Sequence, residues 1–324
     1  MNSPTQIIDF RPLKSIKNSV HLAIGVFDGV HLGHVAVIQR SISTARPDDG
    51  LSVVLTFNPH PSRLFKGDLG TDLIMPLEQK SKALGYLGVD YLIAKTFDSD
   101  FSKISSTDFL SYLVKEIPSL KSISIGENFR FGFERKGTVE TLIRSGSKLG
   151  IDVWSIDRIK HNGLPISSTR IREYLCLGKI KKVNALLGYN YYSEGTIKNG
   201  NKLGTKIGFP TMNFHWSPEC KPLFGVYVVR FRISDIKTFS LDNWTKGIAN
   251  YGLCPTVKTN GNFKNSEPTF EVHALEEFNI IDKNSKITIE WLQFIRKEKK
   301  FENIDVLKTQ ISKDCMEAKK FFAS

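Results

Sequence analysis

The sequence predicts a parallel α/β domain followed by an antiparallel β-barrel that ends in a helix. Up to about residue 184, short β-rich runs alternate with amphipathic helical stretches, which is typical of βαβ units around a parallel sheet. Beyond that point, short alternating runs are separated by Gly, Pro and Asn, which is typical of an antiparallel barrel. A length of 324 residues also fits two domains better than one. We therefore expect domains over residues 1–184 and 185–324.

The first domain is predicted to contain five strands, each a short β-rich run. One amphipathic stretch, residues 106–117, places its apolar side chains on one face, follows a Ser/Thr cap and stops at Pro118. It predicts a helix. A second, shorter helix is expected over residues 178–188, between the domains. The predicted strands are 22–26, 51–57, 89–94, 121–126 and 151–156.

The second domain is predicted to contain strands over residues 193–198, 226–233, 269–275 and 287–294. After them, apolar residues recur at intervals of 3, 4, 4, 3 and 4, so they form one stripe along a helix. We expect this C-terminal helix to pack on the barrel. The stripe consists of Ile304, Leu307, Ile311, Cys315, Ala318 and Phe322.

The charge is strongly positive, with 45 Lys and Arg against 33 Asp and Glu, or +12 at pH 7. Such a charge fits nucleic acid, an acidic surface or small phosphorylated ligands. Residues 1–185 carry 25 basic and 18 acidic side chains, and the remainder carries 20 and 15, so no basic tail or arm concentrates the charge. This even distribution favours a small phosphate-rich ligand, and we expect no nucleic-acid partner.

Composition indicates a soluble globular protein, because hydrophobic residues make up 40% and the mean hydropathy is −0.19. No apolar run approaches the ~18 residues of a membrane helix, and residues 1–20 lack the apolar core of a signal peptide. We expect neither membrane insertion nor secretion. Four cysteines are spaced too widely for a Cys-x-x-Cys pair, and we interpret them as buried thiols in a reducing cytoplasm. They are Cys176, Cys220, Cys254 and Cys315.

The segment GVFDGVHLGH, residues 25–34, follows the first predicted strand and leads into a helix expected to begin near His34. Its glycines permit a tight turn, and the open N–H groups at a helix N-terminus attract phosphate. His31 and His34 are three residues apart, so both imidazoles can face one anion. A metal pair or a purely structural turn are the alternatives, although no third ligand completes a metal site.

A second candidate element is ISSTRIR, residues 166–172, in which Ser168 and Thr169 precede a helix that carries Arg172. Hydroxyls at a helix start, together with a guanidinium group, suit a phosphate chain. An ordinary capped helix is the alternative. Both elements are expected at the carboxyl edge of the parallel sheet, where such folds bind ligands.

The second domain opens with GTIKNGNKLGTKIGFPTMNF, residues 195–214, in which Gly200, Gly204 and Gly208 are spaced four apart with lysines between them. Glycines let backbone amides approach phosphates, although structural hairpins are also glycine-rich. Thr211 and Asn213 alternate along one strand and therefore share a face, where their oxygens suit a hard cation such as Mg²⁺.

The first domain resembles the FMN adenylyltransferase module of bacterial bifunctional riboflavin kinase/FAD synthetases. Four motifs match in order: GVFDGVHLGH, TFNPHP (56–61), GENFRFG (126–132) and ISSTRIR. The pairing of HxGH with SSTxxR is similar to the wider nucleotidyltransferase superfamily, which implies a Rossmann-like fold and in-line attack on the α-phosphate of ATP.

This resemblance implies roles for individual residues of the first domain. His31 and His34 stabilise the α-phosphate in the transition state, and the three residues Ser168, Thr169 and Arg172 hold the β- and γ-phosphates. The other implied positions are the nucleotide pocket (Gly25, Phe27, Asp28), the loop facing flavin and adenine (Asn128, Arg130, Phe131) and a weaker FMN-phosphate candidate, Arg63. Phe131 as plain core and Arg63 as a solvated charge are the alternatives.

The second domain resembles the riboflavin kinase module through GFPTMN, FGVYVV (224–229), GIANYGLCPT (247–256), FEVH (270–273) and FIRKEKKF (294–301). The resemblance implies that Thr211 and Asn213 bind MgATP, that the glycine-rich arch with Lys206 contacts ATP, and that Glu271 is the general base toward the riboflavin 5′-hydroxyl. A strand carboxylate paired with a lysine is the alternative for Glu271. The segment 274–286 and Asn190 depart from the family pattern.

The resemblance covers nearly the whole chain and implies an enzyme that phosphorylates riboflavin to FMN and then adenylylates FMN to FAD, using ATP and Mg²⁺ twice. The expected partners are these small molecules, with a homo-oligomer as an option. Two alternatives stay open: a related nucleotidyltransferase with another phosphate acceptor, and a flavin-binding regulator without activity.

Overall fold

The computed structural model describes residues 5–7, 9–198, 204, 207–234, 244–253, 268–278 and 285–324. The chain divides into two compact units, Met1–Ser168 and Thr169–Ser324. The first contains a parallel sheet and the second a closed antiparallel barrel with a C-terminal helix. The predicted fold class is therefore confirmed.

The sheet of the first unit has six strands, all paired in parallel, in the order β1-β4-β3-β2-β5-β6. Its helices are α1 (Leu32–Ala45), α2 (Pro61–Lys66), α3 (Leu77–Leu87), α4 (Ser99–Ser102), α5 (Phe109–Glu116) and α6 (Val139–Leu149). The strands are β1 (Thr5–Ile7), β2 (Val20–Ile24), β3 (Leu51–Phe57), β4 (Tyr91–Lys95), β5 (Leu120–Gly126) and β6 (Asp152–Ile156), and a small hairpin follows as β7 (Lys160–His161) and β8 (Leu164–Pro165).

Strand β2 lies at the centre of this sheet. All five of its residues are buried, as expected for a parallel strand covered on both faces. The chain passes from β2 outward through β3 and β4 on one side, and then returns to β5 on the other side of β2. The order therefore reverses between β2 and β5. Such a switch point leaves a crevice at the carboxyl ends of the two strands, where ligands bind in open α/β sheets.

The sequence located the five predicted strands of the sheet to within two residues and missed β1, which contains only three residues. In the second unit it missed the strands Met212–His215 and Thr245–Gly252, and the strand predicted to end at residue 294 continues to Lys297. The helix predicted over 106–117 is shorter, because residues 106–108 form a turn in which Ser105 Oγ accepts the Asp108 N–H. The helix expected between the domains forms as α8 (Ile180–Leu187). It follows α7 (Ser168–Cys176), which begins at the last residue of the first unit.

The barrel of the second unit closes in the order β10-β13-β12-β11-β14-β9. Its strands are β9 (Tyr192–Lys198), β10 (Met212–His215), β11 (Gly225–Ser234), β12 (Thr245–Gly252), β13 (Thr269–Ala274) and β14 (Lys286–Lys297). Large aromatic side chains fill it: Trp291 is fully buried, and its ring centroid lies 4.6 Å from Tyr227 and 5.1 Å from Phe270. The interior is thus a packed core rather than a ligand cavity.

Helix α9 (Ile304–Ala323) packs on the outer face of this barrel, as predicted. Ala318 lies in a buried cluster with Val226, Val228 and Ile248 of β11 and β12, and Ile311, Cys315 and Phe322 pack against it. Asn303 caps the helix by accepting the Val306 N–H, at 3.0 Å.

The interpretation of the cysteines as buried thiols is wrong for Cys176, which is exposed at the C-terminal end of α7, and Cys315 is only half-buried. Cys220 is buried, and Cys254 lies outside the described residues. Spacing alone excluded a Cys-x-x-Cys pair but carried no information about exposure. Among the described helices, none has the length and apolar character needed to cross a membrane.

Candidate active sites

The turn between β2 and α1 lies at the switch point of the sheet. Three of its residues adopt positive φ angles, namely Phe27 (49°), Gly29 (83°) and Val30 (37°). Only glycine adopts this region freely, and each non-glycine residue held there costs about 1–3 kcal/mol. The turn is therefore a strained conformation that the surrounding residues must hold in place.

The turn ends at His31 and His34, whose imidazole rings stack with centroids 3.5 Å apart and an angle of 14° between their planes. His31 is the N-cap residue of α1, and its Nδ1 accepts the His34 N–H at 3.2 Å. The ring of Phe27 meets His34 edge-on at 5.3 Å. The two imidazoles are thus stacked at the N-terminus of α1. A helix N-terminus suits a phosphate group.

Close approach of the backbone explains two glycines of this motif. A Cβ at Gly25 would lie 2.9 Å from the Phe27 ring, and one at Gly33 would lie 3.2 Å from the His31 ring. Neither residue has a positive φ. These glycines therefore make room for the aromatic rings, whereas Gly29 supplies the left-handed backbone.

Asp28 is 1% exposed, and its carboxylate accepts backbone N–H groups from Ile74 at 3.0 Å and from Met75 at 3.4 Å. Its carbonyl oxygen accepts the hydroxyl of Ser168 at 2.9 Å. The Asp28 side chain thus holds the strained turn against residues 46 and 47 positions further along the chain. Ser168 connects the start of α7 to the same turn.

A buried lysine that was not predicted from the sequence is hydrogen-bonded to the residue before the strained turn. Lys80 of α3 is 3% exposed, and its Nζ donates to the Val26 carbonyl at 2.7 Å and to Thr56 Oγ1 at 3.3 Å. Thr56 Oγ1 itself donates to the same Val26 carbonyl at 2.8 Å. Burial lowers the pKa of Lys80 to about 8, and the nearby Asp28 carboxylate opposes this shift.

The remaining predicted residues of the first unit lie beyond β3 and β5. Phe131 is 5% exposed and its ring lies 4.8 Å from Phe109, so it contributes to the core. Asn128 and Arg130 are exposed on the same loop. Arg63 on α2 pairs with Asp72 at 3.6 Å. Its side chain is half-buried, so the alternative of a solvated charge applies only in part.

Thr169 and Arg172 follow Ser168 on α7, where the second unit begins. Arg172 is half-buried and interacts with other residues of the chain. The helical start that the sequence predicted for this motif is present.

In the barrel, strand register brings predicted residues together. Asn213 of β10 lies directly opposite Glu271 of β13, and Glu271 lies opposite Asn250 of β12. Directly paired residues point to the same face of a sheet. Met212 and Phe214 on either side of Asn213 are buried in the barrel interior, so this row of three points outward. Thr211, which the sequence placed on the same strand as Asn213, lies just before β10 begins at Met212.

Glu271 is half-buried although it points out of the barrel. This burial raises the pKa of its carboxyl above the usual value, which makes the carboxylate a stronger base. It forms no ion pair with any residue that the structure describes. The alternative of a carboxylate paired with a lysine thus finds no support in the described part of the chain.

A cavity of about 530 Å³ opens beside Thr211, between β10 and the end of β13. Its lining includes Thr211, His273, Glu276 and Phe278. The ring of His273 is fixed through a hydrogen bond between Nδ1 and the Pro210 carbonyl, at 2.8 Å. This volume accommodates a small-molecule ligand.

Gly204 lies close to this cavity, since a Cβ there would lie 2.3 Å from the Phe209 carbonyl oxygen and 3.0 Å from Thr211 Oγ1. Gly208 has φ 87°. The predicted residues Gly200 and Lys206 lie outside the described residues.

Lys80, Asn250 and His273 were not predicted from the sequence. A signal existed for Lys80, because it lies four residues before the buried Leu84 and hence on the core face of α3. Asn250 and His273 lie within the quoted motifs GIANYGLCPT and FEVH, but their roles depend on strand register.

Within the described ranges, no group of three or more His, Cys, Asp or Glu residues forms a metal site. The oxygen donors of Thr211 and Asn213 suit Mg²⁺, which binds through few protein oxygens together with substrate phosphates.

Two family models match the chain. A model described as FAD synthetase matches residues 13–170, and one described as riboflavin kinase matches residues 187–322. The first covers the stacked histidines and Lys80, and the second covers the barrel and α9.

Curated relatives cover almost the whole chain. Proteins named bifunctional riboflavin kinase/FMN adenylyltransferase include that of Escherichia coli K12. It is 32% identical over 302 residues, and the match covers 93% of this chain and 92% of the relative. The Haemophilus influenzae protein is 34% identical (94% and 94%), and the Bacillus subtilis protein is 32% identical (99% and 96%).

A solved structure from Streptococcus pneumoniae, described as a macrolide-efflux protein, has a TM-score of 0.81 and 28% identity, and the match covers 97% of both chains. Its description differs from the names of the curated relatives, while its fold is the same. Taken with the two family matches, these relatives establish that the chain belongs to the bifunctional riboflavin kinase/FMN adenylyltransferase family and is a transferase that makes FMN from riboflavin and FAD from FMN, with ATP as the co-substrate.

Proposed function

We propose that the two reactions use separate sites, one at the stacked histidines and one on the outward face of β10 and β13. The domains proposed to carry them are residues 1–184 and 185–324. The family matches end at residue 170 and begin at residue 187, which supports a boundary between them.

In FAD formation, an oxygen of the FMN phosphate attacks the α-phosphorus of ATP, and the bond to pyrophosphate breaks. His31 and His34 donate N–H groups to the α-phosphate as negative charge develops on it. The observation that supports this role is the stacking of the two rings 3.5 Å apart at the N-terminus of α1. The reaction requires positioning and charge stabilisation but no covalent nucleophile.

Other residues are proposed to bind substrate rather than react. Ser168, Thr169 and Arg172 hold the β- and γ-phosphates and the leaving pyrophosphate. The nucleotide pocket is assigned to Gly25, Phe27 and Asp28, the flavin and adenine loop to Asn128, Arg130 and Phe131, and the FMN phosphate to Arg63.

In FMN formation, the 5′-hydroxyl of riboflavin loses its proton to Glu271, and its oxygen bonds to the γ-phosphorus of ATP while ADP leaves. The observation that supports this role is the shared outward row of Glu271 and Asn213, together with the raised pKa of the carboxyl. A base with a raised pKa accepts the hydroxyl proton more readily.

Thr211 and Asn213 are proposed to hold Mg²⁺ with the ATP phosphates, and the arch with Gly200, Gly204, Gly208 and Lys206 to contact the phosphate chain. The bound ion would neutralise charge that develops on the phosphates. The enzyme is proposed to act in the cytoplasm on these small molecules, without nucleic acid, as a monomer or a homo-oligomer.

A chromatographic time course tests this proposal. Purified protein receives ATP with MgCl₂ or with EDTA, and either riboflavin or FMN. We expect riboflavin to give FMN as a transient and then FAD, FMN to give FAD directly, and EDTA to stop both. Product formation at full rate in EDTA would contradict the Mg²⁺ assignment, and absence of FAD from added FMN would contradict an active histidine site.

A further inference from the structure

Lys80 combines deep burial with contacts to the turn that carries the histidines. The residue is 3% exposed, and its ammonium donates to the Val26 carbonyl at 2.7 Å and to Thr56 Oγ1 at 3.3 Å. Both acceptors lie at the carboxyl end of the central strands, beside the switch point. The lysine thus connects α3 to β2 and β3 at the edge that binds nucleotide.

The Val26 carbonyl is the point where these contacts converge. It accepts one hydrogen bond from Lys80 and a second from Thr56 Oγ1, at 2.8 Å. The next residue, Phe27, is the first of the left-handed positions in the turn. The orientation of the Val26 peptide therefore sets the direction in which the strained segment leaves the sheet.

A lysine is an unfavourable choice for this position as far as folding alone is concerned. Burial disfavours its charged form and lowers its pKa to about 8. An apolar side chain would avoid that desolvation cost, whereas the ammonium lies near the buried Asp28 carboxylate of the turn. The presence of a cation here points to a requirement of the turn rather than of the core.

We propose that Lys80 is a positioning residue for adenylyl transfer: by holding the Val26 carbonyl together with Thr56, it fixes the β2–α1 turn in the conformation that places His31 and His34 against the α-phosphate. Its ammonium is already engaged by protein oxygens and is buried, so it acts through the turn and does not contact ATP. This inference rests on the proposed role of the histidines.

The experiment compares full-length variants for both reactions. Lys80→Met removes the ammonium and keeps an unbranched apolar stem, and Thr56→Val removes the second donor to Val26 with little change of shape. Lys82→Met, an exposed lysine on the same helix, is the matched control. FMN formation from riboflavin by the same chains measures the other site, and His31→Asn marks the loss expected when an imidazole is missing.

We expect Lys80→Met to lower the kcat of FAD formation about 30-fold, because a misplacement of about 1 Å costs up to about 10²-fold in rate. The KM for FMN should stay within about threefold, and FMN formation should be unchanged. Thr56→Val should lower the same kcat about threefold. The double variant should lose less than the product of the single effects, because both residues act on one carbonyl.

A Lys80→Met protein whose kcat for FAD formation stays within about threefold of the wild type overturns the inference. If that variant unfolds, Thr56→Val decides: an unchanged kcat overturns the inference, and a lowered kcat with an unchanged melting temperature supports it. Full activity of His31→Asn would instead contradict the proposed histidine site, so the two failures are distinguishable.

Discussion

The two candidate sites are held in place by different means. In the first unit, His31 and His34 lie on a strained turn that side chains hold in place: Lys80 at the Val26 carbonyl, Asp28 at two backbone N–H groups, and Ser168 at the Asp28 carbonyl. In the second unit, Asn213 and Glu271 lie on regular strands, and the ladder of hydrogen bonds between β10, β13 and β12 fixes their alignment.

This difference determines which mutations each site tolerates. A site on a strained turn depends on side chains that never touch substrate, so a single buried substitution can displace it. A site on a strand ladder is positioned mainly by backbone pairing. Substitution of a neighbour in the outward row should therefore change the environment of the Glu271 carboxyl more than it changes the position of Glu271. The predictions below test this contrast.

The largest expected effect comes from the histidine pair. His31→Ala should lower FAD formation by about 10²-fold or more, because one donor to the transition state is lost. FMN formation from riboflavin by the same protein should be unchanged. His31→Asn is the control for the cap, because asparagine keeps an N-cap acceptor for α1. If His31→Asn made FAD at the wild-type rate, His31 would serve only as a helix cap.

Glu271→Gln should lower FMN formation by about 10²-fold and leave FAD formation from added FMN intact, which is the reverse pattern. Because the pKa of Glu271 is raised, the wild-type rate of FMN formation should fall as the pH decreases through a value above that of a free glutamate. A pH profile of the kinase reaction measures this acid limb. Glu302→Gln, at an exposed position, is the control. Equal loss of both reactions would contradict separate sites.

Gly204→Ala should reduce FMN formation about tenfold, because the added Cβ would overlap the Phe209 carbonyl and crowd Thr211. FAD formation from FMN serves as the internal control for folding of the chain. Steady-state kinetics with varied ATP measures the effect. An unchanged KM and kcat would show that the backbone near Thr211 adjusts without cost.

The smallest effect is expected at Asn250, the neighbour of Glu271 in the outward row. Asn250→Ala admits water beside the carboxyl, so the pKa of Glu271 should move toward its usual value and the acid limb should shift to lower pH. The rate at neutral pH should fall only about threefold. An acid limb that stays in place would show that Asn250 does not contribute to the burial of Glu271.

Sequence patterns predicted much of the fold because both domains follow simple periodicities. The five predicted strands of the sheet, the closing of the barrel and the packing of α9 were confirmed from alternation, from an apolar stripe and from turn residues. Strand β1 escaped prediction because its three residues are too few to show a period, and strands β10 and β12 of the barrel were not predicted either. The exposure of Cys176 escaped as well, since spacing does not report burial.

The candidate sites were predictable where a motif places residues three or four apart, as with His31 and His34. The spacing places Lys80 on the core face of its helix, but its role was not predictable, because its acceptor is the carbonyl of Val26, 54 positions earlier. Asp28 was predicted as a pocket residue, but its partners Ile74 and Met75, which belong to a distant loop, were not. Contacts of this kind follow from the packing of the sheet and leave no local pattern.

The most direct test of two separate sites mixes two full-length variants, each of which is inactivated at one site. His31→Asn and Glu271→Gln are each supplied with riboflavin, ATP and MgCl₂, alone and as an equimolar mixture, and FAD is measured over time. The account predicts that His31→Asn stops at FMN, that Glu271→Gln makes almost no product, and that the mixture forms FAD because FMN from one protein reaches the other. Failure of the mixture to form FAD, while Glu271→Gln still converts added FMN, would contradict two sites that work independently.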